Sequence, residues 1–222
     1  MSKKAVVLVS GGLDSAVTLF SAKKLGYDCY AITLDYGQRN SMETDCARKV
    51  AAAAGAHFHI VRLRFPWKGS SLTDKNMVLP LDRTLSQIGS GIPSTYVPAR
   101  NTIFLSIAVS YAEAIDAEKV FIGAHSDDSS GYPDCRIEYL RAFSETVRLG
   151  TRNGLEGKLK LEFPLIDKTK DEIVKLGKSL AVPFEFTRSC YQGLKRPCGR
   201  CDSCILRAKG FGAAGLKDPA LV

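Results

Sequence analysis

The 222-residue chain contains no apolar run that approaches the roughly 18 residues of a spanning helix, no internal repeat and no low-complexity tract. These absences exclude a helical membrane protein, a solenoid and a disordered scaffold. Met1-Ser2-Lys3-Lys4 leads directly into the strand-like Ala5-Val6-Val7-Leu8-Val9 with no cleavage-type signal sequence, so a soluble cytoplasmic protein is expected. Without an export signal, seven cysteines do not read as a disulfide framework, because the cytosol keeps thiols reduced. The three histidines, His57, His59 and His125, form no cluster in sequence; alternation places the first two on one strand face, and packing or solvent exposure accounts for them. A Ser-His-Asp hydrolase is not supported. Acidic residues are the scarcer charge, 23 against 31 basic, and the net +8 favours anionic partners such as nucleotides or RNA without choosing between them.

With 45% hydrophobic and 24% charged residues, there is material for one ordinary core. From Lys4 a β-branched run, a glycine turn and an apolar-periodic segment follow one another, and the unit recurs. Strands are expected at Tyr30 to Leu34, Phe58 to Val61, Lys119 to Gly123 and Leu159 to Phe163. Helices are expected at Met42 to Ala54, Asn101 to about Ala117, Ile137 to Leu149 and Lys170 to Leu180. This alternation predicts a doubly wound α/β fold of about five parallel strands with helices on both faces and a ligand across the β1 switch point. The domain reading is a nucleotide-binding α/β unit over 1–183, interrupted by an aperiodic insertion at 64–98, then a metal-binding segment at 184–210 and a mobile tail at 211–222.

Ser10-Gly11-Gly12-Leu13-Asp14-Ser15 stands where the first strand gives way to the first helix. Glycines let backbone approach a ligand, and the helix's free N–H groups favour phosphate oxygens. Ser10 and Ser15 add hydroxyl donors, and Asp14 can hold Mg²⁺. The spacing matches neither G-x-x-x-x-G-K-S/T nor G-x-G-x-x-G, so a Walker-type ATPase or a dinucleotide dehydrogenase is not the natural reading. The alternative is a tight turn with Asp14 as a helix-start acid. Lys170 reads equally as a second phosphate contact or as a solvated lysine with an i,i+4 acid partner.

Cys190-x7-Cys198-x2-Cys201-x2-Cys204 supplies four thiolates within fifteen residues, a set suited to one tetrahedral structural Zn²⁺. An iron–sulfur cluster is the competing occupant. Arg188, Lys195, Arg196 and Arg200 are expected to soften the charge of the centre.

The S-G-G-L-D-S loop resembles the PP-loop of the ATP pyrophosphatase superfamily, whose HUP-like members cleave ATP to AMP and pyrophosphate while adenylating an oxygen. In that likeness the loop-bearing stretch corresponds to Leu8, Val9, Ser10 to Ser15, Ala16, Val17 and Thr18, the outer residues serving as framework. Further blocks narrow the resemblance: Leu34 to Arg39 (L-D-Y-G-Q-R), Thr95 to Thr102, Gly123 to Asp128, Ser130-Gly131-Tyr132-Pro133-Asp134-Cys135-Arg136 and the cysteine spacing. Together they closely resemble the 7-cyano-7-deazaguanine synthase family of the queuosine pathway, from Val7 to about Arg207.

The resemblance implies an ATP-dependent carbon–nitrogen ligase that turns 7-carboxy-7-deazaguanine and ammonium into a nitrile through adenylated acid and amide. It implies ATP, Mg²⁺ and structural Zn²⁺, small-molecule partners rather than nucleic acid or membrane, and a homodimer. Arg100 joins the ATP-binding candidates and Asn101, Asp127, Tyr132, Asp134 and Arg136 the substrate-binding ones. An acid in that loop would pair with the guanine-like N1–H and amine, the alternative being a G-Y-P-D turn stabilised by its own side chains. Cys135 reads better as a packed thiol than as a nucleophile. Ser129 and Ile137 depart from the usual tyrosine and proline. The rival readings are a ligase for another carboxylate, a PP-loop tRNA-modifying enzyme and a zinc-ribbon nucleic-acid-binding module.

Overall fold

The computed structural model describes residues 3–125 and 131–221. Five strands, β1 (Lys4–Leu8), β2 (Asp28–Asp35), β3 (His57–Arg62), β4 (Lys119–Phe121) and β5 (Lys160–Glu162), form an all-parallel sheet in the order β3-β2-β1-β4-β5. The central strand is the near-continuous apolar run Ala5-Val6-Val7-Leu8, because in a parallel sheet covered on both faces it meets no water.

Alternation along β1 divides the core. Val7 and Val9 pack with Val17 and Leu19 of α1 (Leu13–Lys24), Val50 of α2 (Glu43–Ala53) and, beyond a short α3 (Leu85–Ile88) that takes no part, residues further along the chain. Val6 and Leu8 face Leu105 and Ala112 of α4 (Arg100–Ala114) and Leu140 and Val147 of α5 (Ile137–Gly150) on the other side. Each fully buried Val or Leu contributes about 1.5–3 kcal/mol. After α6 (Arg152–Leu155), α7 (Lys170–Ser179) returns to the first face through Ile173 and Val174. Its start is specified locally: the Glu172 carboxylate reaches back to accept the Thr169 N–H at 2.9 Å, which leaves Lys170 as the first helical residue. The chain winds β1, β2, β3 in one direction and then crosses to β4 on the other side of β1, so the carboxyl ends of β1 and β4 part there.

The 64–98 stretch is held by packing rather than by a ladder. Leu72, Leu79 and Val97 bury themselves with Tyr36, and Leu81 makes a single antiparallel bridge with Cys201. The C-terminal part packs onto the α/β unit. In α8 (Asp202–Ala213), Phe211 joins the core of α1 and α7, and the buried Arg207 guanidinium donates to both Asp218 carboxylate oxygens at 2.6 and 2.8 Å. A buried charge pair cannot be left dangling in water, so the last turns are fastened to the α/β unit. Among the described residues no helix is long and apolar enough to cross a membrane.

Candidate active site

A cleft of 240 Å³ opens at the carboxyl edge of the sheet, lined by Leu8, Val9, Ser10, Gly12, Asp14 and Ser15 of the first strand, turn and helix. Gly11, Leu13, Ala16, Val17 and Thr18 stand behind them: Leu13, Ala16 and Val17 belong to the core, and the Thr18 hydroxyl donates to the Asp14 carbonyl at 2.8 Å. The serines hold the turn. Ser15 Oγ accepts the Ser10 N–H at 3.1 Å and donates to the Gly12 carbonyl at 3.0 Å. Gly11 has φ +80°, and a Cβ there would sit 2.4 Å from the Glu43 carbonyl oxygen, so only glycine lets α2 close against the loop.

Lys170 is buried at this loop, not solvated. Its Nζ donates to Asp14 Oδ1 at 2.8 Å and meets His125 Nε2 at 2.8 Å, while His125 Nε2 lies 3.6 Å from Asp14 Oδ2. An ammonium has only donors, so the ring nitrogen facing it is the acceptor. Burial pushes the Asp14 carboxyl upward, but the Lys170 ammonium outweighs it and holds Asp14 well below the usual carboxylate range. The lysine's stem runs past α8, where a Cβ on Gly210 would fall 2.4 Å from Lys170 Cγ. His125, fully buried, belongs to this cluster; it lies in the Gly123 to Asp128 block, but no role is assigned to it there, since a single histidine after a strand carries no such signal.

The opposite wall comes from the start of α4. Ala99 takes a left-handed conformation, φ 51°, and the chain then enters the helix with Arg100 and Asn101 lining the cleft. Tyr132 lines it too, its hydroxyl 2.7 Å from Thr95 Oγ1. Asp134 does not. Its Oδ2 accepts the Asn101 N–H at 2.9 Å, and Asn101 Nδ2 donates to the Asp134 carbonyl at 3.2 Å and to Cys135 Sγ at 3.1 Å. Asp134 is thus a buried anchor for the Asn101 N–H in the first turn of α4. Arg136 is exposed at the start of α5 and is not part of the lining, and Asp127, like Ser129, lies outside the described residues.

The acid that does reach this wall is Glu43, at the start of α2, which the sequence offers only as a helix-start residue. Gln38 Nε2 donates to its Oε2 at 3.3 Å. Burial pushes its carboxyl up to about 7 against the pull of Arg100. Burial likewise lifts the Tyr36 hydroxyl, and Tyr36, Cys135 and Asp134 together hold Arg100 more firmly protonated than burial alone would.

Cys190, Cys198, Cys201 and Cys204 bring their Sγ atoms within 4.8 Å of one another. A tetrahedral ion bound at about 2.3 Å needs sulfurs roughly 3.8 Å apart, so this cluster can hold a metal ion. Hydrogen bonds from Cys201 and Cys204 pull the Cys190 thiol down and push those two partners up, so one negative charge is shared within the cluster. Of the expected cations, Arg200 and Arg188 place their side-chain hydrogen bonds elsewhere, although Arg200 stays close enough to Cys198 for attraction. Arg200 pairs with Asp82, and Arg188 Nη1 donates to the Lys195 carbonyl at 3.2 Å. Backbone amides serve the sulfurs: the Arg200 and Cys201 N–H groups approach Cys198 Sγ at 3.4 and 3.3 Å, and the Cys198 N–H approaches Cys190 Sγ at 3.4 Å. The centre is joined to the cleft. The Arg188 N–H donates to the Gly11 carbonyl at 2.8 Å, Asn40 Nδ2 to the Cys190 carbonyl at 2.9 Å, and Ser189, Tyr191 and Ser203 line the cavity.

Against known families, residues 4–215 match the model described as "Queuosine biosynthesis protein QueC". The chain belongs to the QueC family. It is 52% identical to the 7-cyano-7-deazaguanine synthase of Trichodesmium erythraeum (strain IMS101), over 98% of this chain and 100% of that one. It is 49% identical to the 7-cyano-7-deazaguanine synthase of Thermoplasma acidophilum, over 98% of this chain and 91% of that one. Among solved structures, the NMN synthetase of Francisella tularensis superimposes with a TM-score of 0.52 at 15% identity, covering 97% of this chain and 79% of that one, a likeness of fold alone. The cleft of this QueC member, at the switch point of its sheet, is where such folds bind ligands.

Proposed function

We propose that the chain is an ATP-dependent carbon–nitrogen ligase that converts 7-carboxy-7-deazaguanine and ammonium into 7-cyano-7-deazaguanine. The observation that carries the reading is the cleft itself, in which the S-G-G-L-D-S loop with Lys170 and Asp14 faces a wall of apolar and aromatic side chains in a chain of the QueC family. A carboxylate is a poor electrophile until its oxygen becomes a leaving group. Its oxygen attacks the ATP α-phosphorus and pyrophosphate leaves; ammonia attacks the carbonyl carbon and AMP leaves, giving the amide. The amide oxygen is then adenylated in turn, and loss of AMP with the nitrogen protons gives the nitrile.

The residues divide this work by position. Ser10, Gly12 and Ser15 present the loop's polar groups to phosphate oxygens, and Lys170 moves from Asp14 to the departing pyrophosphate. Asp14, held ionised, is the carboxylate suited to a Mg²⁺ ion that accompanies the nucleotide and neutralises its charge. Arg100, beside the acceptor wall, suits an anionic oxygen of nucleotide or acid. The four cysteines form a closed set with no position left for substrate, which fits a structural Zn²⁺. The reading also entails a cytoplasmic homodimer with small molecules, not nucleic acid, as acceptors; light scattering tests the dimer.

Mass spectrometry of the metal-loaded protein incubated with ATP, Mg²⁺, ammonium and 7-carboxy-7-deazaguanine is the deciding experiment. A nitrile product that disappears in Asp14→Ala is expected. Neither amide nor nitrile from protein that still binds ATP would overturn the reading and direct attention to another carboxylate or to tRNA.

A further inference from the structure

We propose that Glu43 reads the pyrimidine edge of the acceptor, its carboxylate taking the N1–H and the exocyclic amine of the deazaguanine ring as a pair of hydrogen bonds. The assignment rests on the functional reading above and deepens it by naming the residue that selects an amino-substituted ring.

The edge of such a ring presents two N–H donors side by side, and a carboxylate is the one side chain that offers two acceptors at matching separation. Among the described residues two acids line the cleft, Asp14 and Glu43. Asp14 is engaged by Lys170 at the phosphate loop, and the other acid near the acceptor wall, Asp134, is turned inward to Asn101. Among the described residues Glu43 is therefore the lining carboxylate left to meet an acceptor on that wall.

Its surroundings are shaped for a flat, mostly apolar ring. Tyr36 and Phe104 pack edge to face, ring centroids 5.3 Å apart, and both line the cleft with Ile32 and Leu34. Glu43 is also held in place. Gln38 donates to Oε2 at 3.3 Å while its own carbonyl accepts the Tyr36 N–H at 3.0 Å, so the amide cannot swing away without losing a partner. A carboxylate that burial disfavours in the free protein gains most from two incoming donors, because binding supplies hydrogen bonds that water no longer provides. The groups facing it are Arg100 from α4, Tyr36 at the end of β2, Cys190 from the cysteine segment, and Gln38 and Asn40 on its own loop.

Steady-state kcat/KM is measured for 7-carboxy-7-deazaguanine and for its counterpart lacking the 2-amino group, with the metal-loaded wild type, Glu43→Ala and Glu43→Gln. The wild type is expected to favour the amino acceptor by about 10- to 100-fold. Glu43→Ala should bring the two acceptors toward parity with the KM for ATP little changed, and Glu43→Gln, which offers one acceptor and one opposing donor, should lose more on the amino acceptor than on the other. A preference that persists in both variants overturns the assignment. Equal use of both acceptors by the wild type overturns it without recourse to any variant, so misfolding of a mutant cannot shelter it. If the wild type makes nitrile from the amino acceptor and the variants keep its preference, only the role of Glu43 falls; no product from either acceptor removes the functional reading, and this assignment with it.

Discussion

An ammonium offers only donors, so Lys170 needs acceptors wherever it is buried, and Asp14 and His125 supply two of them. Removing the neutral one tests what it contributes. His125→Leu should destabilise the protein by about 1.5–3 kcal/mol in urea unfolding, the usual worth of a hydrogen bond to a charged group, and should raise the KM for ATP. His125→Gln, which restores an acceptor, should recover part of both. At Glu43 the prediction concerns pH. Its carboxyl is pushed up to about 7 by burial, opposed by Arg100 and aided by the neighbouring Cys190, so the acceptor-binding carboxylate is the minority form below that pH. The KM for the deazaguanine acid is therefore expected to fall between pH 6 and pH 8, whereas Glu43→Gln should flatten the profile.

Among elements, α2 and the phosphate loop approach each other closely. Gly11→Ala places a Cβ 2.4 Å from the Glu43 carbonyl on a backbone that L-residues rarely adopt, and a loss of about 3 kcal/mol or more is expected by thermal or urea unfolding. Which elements could be foreseen follows from how they are stabilised. The central strand is announced by a short β-branched apolar run and the helices α1, α2, α4, α5 and α7 by recurring apolar positions, with Val6, Val17 and Ile173 among them. The start of α7 is fixed locally by Thr169 and Glu172. By contrast α8 carries Gly210 and Gly212, a poor helix by propensity, and exists because Phe211 and Arg207 find partners far away in the chain. The 64–98 stretch is similar, its Leu72 and Leu79 closing on Tyr36. The site was legible in the same measure: the loop and the cysteines are local patterns, whereas Glu43 reaches the cleft, and His125 the Lys170–Asp14 pair behind it, only through tertiary packing, and the bond from the Asn101 amide to Asp134 has no sequence signature because its donor is a backbone group.

At the scale of the molecule, the cysteine cluster lies under the wall of the cleft and also fastens the 64–98 stretch, through the Leu81–Cys201 bridge and the Asp82 N–H donating to the Arg200 carbonyl at 2.8 Å. Cys201→Ser should lower the bound metal below one per chain and loosen that whole side, read as faster proteolysis between residues 64 and 98 with the β1–β2 core still protected. The close passage of Lys170 along Gly210 has a consequence of its own. The helix that begins at the metal-binding cysteines also walls the stem of the phosphate-facing lysine, so nucleotide and metal ion act on one rigid body. Thermodynamic reciprocity then requires that whatever factor the metal adds to nucleotide affinity, the nucleotide adds to metal affinity. Saturating ATP should raise the metal affinity read from equilibrium competition with a chelator, and the metal-free protein should bind ATP more weakly by the same factor.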